Sequence, residues 1–283
     1  MSKPRKKYTY LIDGGLSFLL ALRCEGLTEK KDVNAEIRDY LYTHLFNKPG
    51  FSGKFIWALD CPRKDNFRLN IDPKYKANRK ETKVPKWLSY IKKVTGVWGV
   101  GYPGLEADDV VGLYKTHMEQ LKLHGEHPEE IVVVSADKDL RILAECYIIK
   151  PYKASDVYSD KFEFWKANEG LSTWVTLMLE GDSADNIPGA RGIGKGFIKE
   201  YKKHLAMQAT AGKRYKWKNV PNMQASVKHM YNVVYGEENG HKEYQKTKDL
   251  VDIVRTTDDH RIDLSGFTFA DYQELSDKKK KKN

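Results

Sequence analysis

The chain has 283 residues, 40% of them apolar and 12% aromatic, with a formal charge of +10. That supports one substantial core, or a core with a helical annex, and excludes wholesale disorder. No apolar run approaches the roughly 18 residues that cross a bilayer, and the stretch before Asp13 is too short for a signal-peptide core, so the expected partner is a polyanion such as nucleic acid and not a membrane.

In chain order, β-branched or aromatic runs at Tyr8–Ile12, Phe55–Leu59, Trp98–Tyr102, Ile131–Val134 and Tyr147–Ile149 read as strands. Helical patterns lie between them. Val33, Ile37, Leu41 and Leu45 recur every four residues, and Trp87, Ile91 and Val94 follow the 3.6-residue period, as do Val110, Leu113, His117 and Leu121. Strand and helix alternating in this way predict an α/β fold, with a mostly parallel central sheet and helices on both faces. Beyond about residue 170 the strand signal fades. Trp174, Leu177 and Met178 suggest a helix, followed by a glycine-rich stretch at 186–196 and further helices. Cys24, Cys61 and Cys146 lie far apart, the pattern of a reducing compartment without a disulfide framework.

Charge is unevenly spread. Residues 62–83 hold eight Lys or Arg against three acids, and 199–228 hold eight against one. Segments 100–110 and 180–186 carry acids and no bases. The acids fall where strands end: Asp13 after the first, Asp60 after the second, Glu106, Asp108 and Asp109 after the third, Asp137 and Asp139 after the fourth. Ligands of open α/β sheets bind beyond these carboxyl ends. Asp182 and Asp185 add a pair spaced to share a helix face. Any one such Asp, taken alone, reads more simply as a helix cap, and Asp108 and Asp109 as first-turn acids favoured by the helix dipole. Capping, however, does not call for acids at every strand end, nor for doubled and tripled ones. Two carboxylates about 4 Å apart repel by about 4 kcal/mol at an effective dielectric of 20, so the cluster needs protons or cations. Oxygen-only donors point to Mg²⁺ or Mn²⁺, two or more ions, while scattered histidines and the lack of a Cys pair disfavour zinc. Metals beside a basic surface put phosphodiester hydrolysis first.

Gly189–Lys195 mimics the start of a P-loop, but Gly196 stands where Ser or Thr would bind magnesium. An interhelical turn, or a helix–hairpin–helix-like element in which Gly192 and Gly194 let amides approach a phosphate while Lys195 and Lys199 add charge, suits it better.

In order, the segments YLIDGG (10–15), ALD (58–60), FRLNIDPKYKANRK (67–80), GLEADDVVG (104–112), VVVSADKDLRIL (132–143) and GDSADNIPGARGIGKG (181–196) resemble the 5′ nuclease family. That family comprises flap endonucleases, the 5′ nuclease domain of DNA polymerase I and free-standing phage 5′–3′ exonucleases. The resemblance covers roughly residues 8–205. It implies a PIN-like core at 1–172 with a helical arch at about 62–96. It also implies a helical DNA-binding region at 173–270 containing a helix–hairpin–helix at about 184–205, and a basic tail at 271–283. Asp13, Asp60, Glu106, Asp108, Asp109 and Asp137 match the first metal-ligand set, and Asp139, Asp182 and Asp185 complete the second. Lys76 resembles the active-site lysine, with Arg79 and Arg68 as nearby phosphate contacts and Tyr75 placed to stack on the terminal base. The glycine hairpin grips duplex DNA in that family and commonly binds K⁺; here Lys195 follows GIG directly, where the family usually has an intervening residue.

The function implied is a structure-selective 5′–3′ exonuclease or 5′-flap endonuclease using two metal ions. Its substrate is DNA with 5′ ends or flaps, extending to RNA/DNA hybrids, and it acts as a monomer in the cytoplasm of a bacterial or phage-infected cell, at the nucleoid. A related metal-dependent ribonuclease and a catalytically idle DNA-structure binder remain as alternatives.

Overall fold

The computed structural model describes residues 7–48, 50–79, 84–126, 129–135, 137–143, 146–149, 163–199, 220–271 and 273–274. Strands β1 (Tyr8–Ile12), β2 (Phe51–Ala58), β3 (Gly99–Val100), β4 (Glu130–Val134), β5 (Cys146–Ile149) and β6 (Glu163–Trp165) form one sheet in the order β3-β2-β1-β4-β5-β6. Pairing is parallel from β3 through β5 and antiparallel between β5 and β6. A short β7 (Gln273–Glu274) pairs antiparallel with β2.

Alternation along the strands divides the core into two layers. Tyr10, Ile12, Phe55, Trp57, Val132 and Val134 face helices α1 (Leu16–Arg23), α2 (Lys30–Leu41) and α4 (Leu88–Gly96), where Leu20, Val33, Ile37, Tyr40 and Ile91 complete one cluster. Leu11, Ile56, Ala58, Ile131 and Val133 face the other way, onto α5 (Ala107–Leu123). That second cluster runs on without a break into α6 (Ala167–Glu180), α7 (Val220–Tyr235), α8 (Glu237–Val251) and the segment carrying Ile253, Val254 and Leu264. Core and helical annex thus share one apolar interior. Because Ile12 pairs with both Trp57 and Val134, and Trp57 with Gly99, the carboxyl ends of β1, β2, β3 and β4 lie level along one edge.

Among the described residues of 62–96, a 3₁₀ turn (Arg63–Asp65), the one-turn α3 (Arg68–Ile71) and α4 follow one another, and α4 lies on the sheet because Trp87 and Ile91 are buried there. Residues 80–83 lie outside the described residues. The helix of the annex begins at Ala167, and the tail contributes β7, held by Lys54 and Phe55 of β2. Of the hairpin region, 200–205 lies outside the described residues, as do the other basic positions at 201–219 and the 275–283 terminus.

Candidate active site

A cleft of about 420 Å³ opens at the level strand ends, lined by Asp13, Asp60, Glu106, Asp108 and Asp137 together with Tyr75, Lys76 and Arg79. Asp13 follows β1 directly. Its Oδ2 accepts from Ser135 Oγ at 2.6 Å and its Oδ1 from the Gly15 amide at 2.9 Å. A side chain at Gly14 would come within 2.4 Å of the Ala58 carbonyl oxygen, so the turn that seats Asp13 against β2 requires glycine. Ser135 Oγ also accepts the Asp137 amide (2.9 Å), and Asp137 Oδ1 accepts that of Asp139 (2.8 Å), so the loop after β4 is tied to the end of β1. Asp60 Oδ1 takes the Ala107 amide at 3.0 Å, so this acid does cap α5 while lining the cleft. Glu106, Asp108 and Asp109 at the start of α5 bring one carboxylate oxygen each within 4.8 Å of one another.

The electrostatics are those of an undercompensated acidic site. Burial, with Asp60 and Asp137 nearby, pushes Asp13 up to about 6. Burial and the Asp137 carboxylate push Asp139 up to about 7. Burial beside Asp109 and Glu106 raises Asp108 well above the carboxylate range. Glu106 goes the other way: burial opposes its ionisation, but Arg68 and Lys76 hold it down at about 2. Asp139 Oδ1 is buried with no hydrogen-bond partner. All-oxygen donors, a partnerless buried carboxylate oxygen and raised acids together fit a hard divalent cation.

Lys76 reaches into this site from the basic segment, its ammonium donating to Glu106 and lying 3.5 Å from Asp185. Arg79 donates to Asp185 as well. Asp182 and Asp185 do not share a helix face. Residues 182–187 form a loop closed by paired bonds between the Asp182 and Ile187 backbones (2.9 and 2.8 Å), because left-handed Gly181 and Gly189 let its two ends meet. Asp182 is buried, accepting the Ala184 amide at 2.8 Å and lying 3.4 Å from Lys138 Nζ.

Residues 36–167 match the model of the 5′-3′ exonuclease N-terminal, resolvase-like domain. That match spans just under half of the chain. It is 31% identical over 163 residues to a 5′-3′ exonuclease of Buchnera aphidicola (subsp. Acyrthosiphon pisum), covering 53% of each chain. It is also 31% identical over 200 residues to the thermostable DNA polymerase I of Thermus thermophilus, covering 65% of this chain and 22% of that one. The chain spans about half the length of the first curated exonucleases it matches. Among solved structures it is similar to a T5 5′-exonuclease with bound zinc, with a TM-score of 0.47 at 19% identity, covering 88% of this chain and 100% of that one.

Three of the expected site residues also have partners inside the fold. Asp109 is fully buried, and both its oxygens are taken. Arg68 donates to them at 2.6 and 2.9 Å, and the Val254 and Glu106 amides donate at 2.9 and 3.2 Å. Arg68 is correspondingly 2% exposed and is no phosphate contact. Tyr75 is 4% exposed, its hydroxyl donating to Glu106 at 2.8 Å, so its ring is not a stacking platform. Gly192, Gly194, Lys195 and Lys199 are exposed and none lines the cleft. Gly192 is left-handed, and Lys195 Nζ lies 3.6 Å from Glu180. Sequence reasoning missed Ser135, Arg63 and Lys92. Ser135 directly precedes the SADKD acids and was findable; Arg63 and Lys92 enter the cleft wall only through the fold.

Proposed function

We propose that the chain is a divalent-metal-dependent 5′ nuclease, cleaving DNA next to 5′ ends or 5′ flaps. The observation that carries this reading is the convergence of Asp13, Asp60, Glu106, Asp108 and Asp137 from different strand ends on one cleft that Lys76 and Arg79 also line. Those five acids, with Asp109, would hold one Mg²⁺ or Mn²⁺ ion, and Asp139, Asp182 and Asp185 would contribute to a second. Bound divalent ions supply charge neutralisation at the scissile phosphate and favour hydroxide at neutral pH. Lys76 and Arg79 stabilise the charge that develops on the phosphoryl oxygens. Asp109 also holds Arg68 in the interior. The exposed hairpin at 192–199 grips the duplex away from the cut through its amides, Lys195, Lys199 and a K⁺ ion, within a helical DNA-binding region at 173–270. RNA/DNA hybrids are accepted, the enzyme acts as a monomer, and its setting is the nucleoid of a bacterial or phage-infected cell.

A duplex with a labelled 5′ flap, incubated with and without Mg²⁺ or Mn²⁺, tests the reading. The expected outcome is metal-dependent release of short 5′ products. Lys76→Ala should slow single-turnover cleavage by about 10²–10³-fold with little change in duplex affinity at fixed salt. Strong preference for single-stranded RNA, or tight DNA binding without any metal-dependent product, would sink the proposal in favour of a ribonuclease or an idle binder.

A further inference from the structure

We propose that Asn186 is a positioning residue that sets Lys76 in the cleft, an inference that rests on the nuclease reading for its catalytic consequence. Among the described residues, only two non-glycine residues have a left-handed φ: Lys76 at +56° and Asn186 at +60°. They lie on two segments that are laced together. The Lys76 amide donates to the Asp185 carbonyl at 2.8 Å, and Asn186 Nδ2 donates back to the Lys74 carbonyl at 2.7 Å. Asn78 Nδ2 donates to the Ser183 carbonyl, and Arg79 Nε to that of Ala184 at 3.3 Å.

The two residues differ in how well they tolerate this backbone. Asn adopts it readily and uses its short side chain to reach neighbouring carbonyls, whereas Lys persists there only if its surroundings hold it. The surroundings that hold Lys76 come largely from the acid loop. That loop is fixed independently by the Asp182–Ile187 bonds and by Gly181, where any Cβ would meet the Ile187 carbonyl oxygen at 2.1 Å. Asn186 therefore passes the rigidity of the acid loop to Lys74 and, two residues on, to Lys76. Its bond to Lys74 fixes the start of the turn, the amide of Lys76 fixes the middle, and the ammonium then falls on Glu106 and beside Asp185. The same lacing brings Arg79 onto Asp185.

Substitutions separate the backbone from the donor. Asn186→Gly keeps the left-handed φ and loses the amide. Asn186→Asp keeps φ and shape but presents an acceptor to the Lys74 carbonyl. In full-length protein with Mg²⁺ and a 5′-flap duplex, both should lower the single-turnover rate by about tenfold or more, with Kd changed less than about threefold. In a Lys76→Ala background, Asn186→Gly should lower it by less than about twofold further, since its effect runs through Lys76. A purely structural role predicts independent, multiplying losses, and that result would overturn the proposal. Unchanged rates in both variants would overturn it too, and if Asn186→Gly melts at room temperature, Asn186→Asp carries the comparison.

A second readout needs no activity. In metal-free wild type, reductive methylation followed by mass spectrometry should label Lys76 more slowly than exposed Lys92. Asn186→Gly should raise labelling at Lys76 several-fold and leave Lys92 unchanged. Labelling of Lys76 that ignores the substitution refutes the coupling. A wild type that cuts no DNA, with labelling that still responds, refutes the nuclease reading and upholds the coupling.

Discussion

The guanidinium of Arg68 donates to both oxygens of Asp109 and to the carbonyls of Leu250 (3.0 Å) and Asp252 (3.1 Å), so it ties α3, the start of α5 and the end of α8 together. Removing one member of a buried, hydrogen-bonded ion pair strands the other charge, at a typical cost of about 3–5 kcal/mol. Arg68→Ala should therefore lower the unfolding free energy by about that amount in a urea melt, and Arg68→Met with Asp109→Leu should recover much of it. A loss of DNA affinity at undiminished stability would instead return Arg68 to the phosphate-contacting role read from sequence. That misreading has a physical origin. Eight Lys or Arg in 22 residues look alike on paper, and the carboxylate that pulls Arg68 inward lies 41 positions away. The placement of Lys76 at the cleft was legible because its motif came with it, and that of Asp13, Asp60 and Asp137 because each follows an apolar, β-branched run that reads as a strand. Asp109 was less fully legible for the converse reason: adjacent acids at the start of a helix point in different directions, and only the fold shows that Asp109 also meets Arg68.

Helix α5 shows the same limit at a larger scale. Its periodicity marks one apolar stripe through Val110, Leu113, His117 and Leu121, yet only Val110 and Leu113 of these are buried, together with Ala107, Val111, Gly112, Tyr114 and Met118. The second cover is the C-terminal segment, in which Phe267 and Phe269 pack edge-on against Tyr114 and the Ala270 amide donates to its hydroxyl at 2.7 Å. Sequence shows that the stripe exists, but a cover supplied some 150 residues later leaves no local trace, and the two-residue β7 has too few positions to alternate. The closest approach is at Gly112, where a Cβ would meet the Val254 carbonyl oxygen at 2.4 Å and Ile253 Cγ2 at 2.6 Å. In an exposed helix Gly→Ala stabilises by about 1 kcal/mol. Here a backbone oxygen cannot yield as a side chain would, so Gly112→Ala should destabilise by about 1–3 kcal/mol. A stabilised Gly112→Ala protein would mean that α5 and residues 253–254 are less closely packed than described.

Across the whole molecule, the acidic cleft makes stability depend on pH and metal together. Asp13 and Asp139 are raised to about 6 and about 7, so between pH 5 and 7 the folded chain binds more protons than the unfolded one. Stability must then fall as pH rises through that window. Glu106, held at about 2, acts with the opposite sign, but its contribution is complete by pH 5. His117, lowered by burial, favours the folded state as pH rises, yet it does not line the cleft and has no reason to respond to a metal. Moving Asp13 from 3.8 to about 6 corresponds to at most about 3 kcal/mol. A cation that binds only the folded state reverses the loss and, at pH 5, competes with protons for the same oxygens. Thermal melts with and without Mn²⁺ should therefore show little metal-induced rise in Tm at pH 5 and about 4–8 °C at pH 8. Asp13→Asn should stabilise the metal-free protein at pH 8, flatten its pH dependence and shrink the response to Mn²⁺. Equal Mn²⁺ responses at pH 5 and 8, or an Asp13→Asn protein that melts as wild type does at pH 8, would show that the strand-end acids are not the groups that bind the ion.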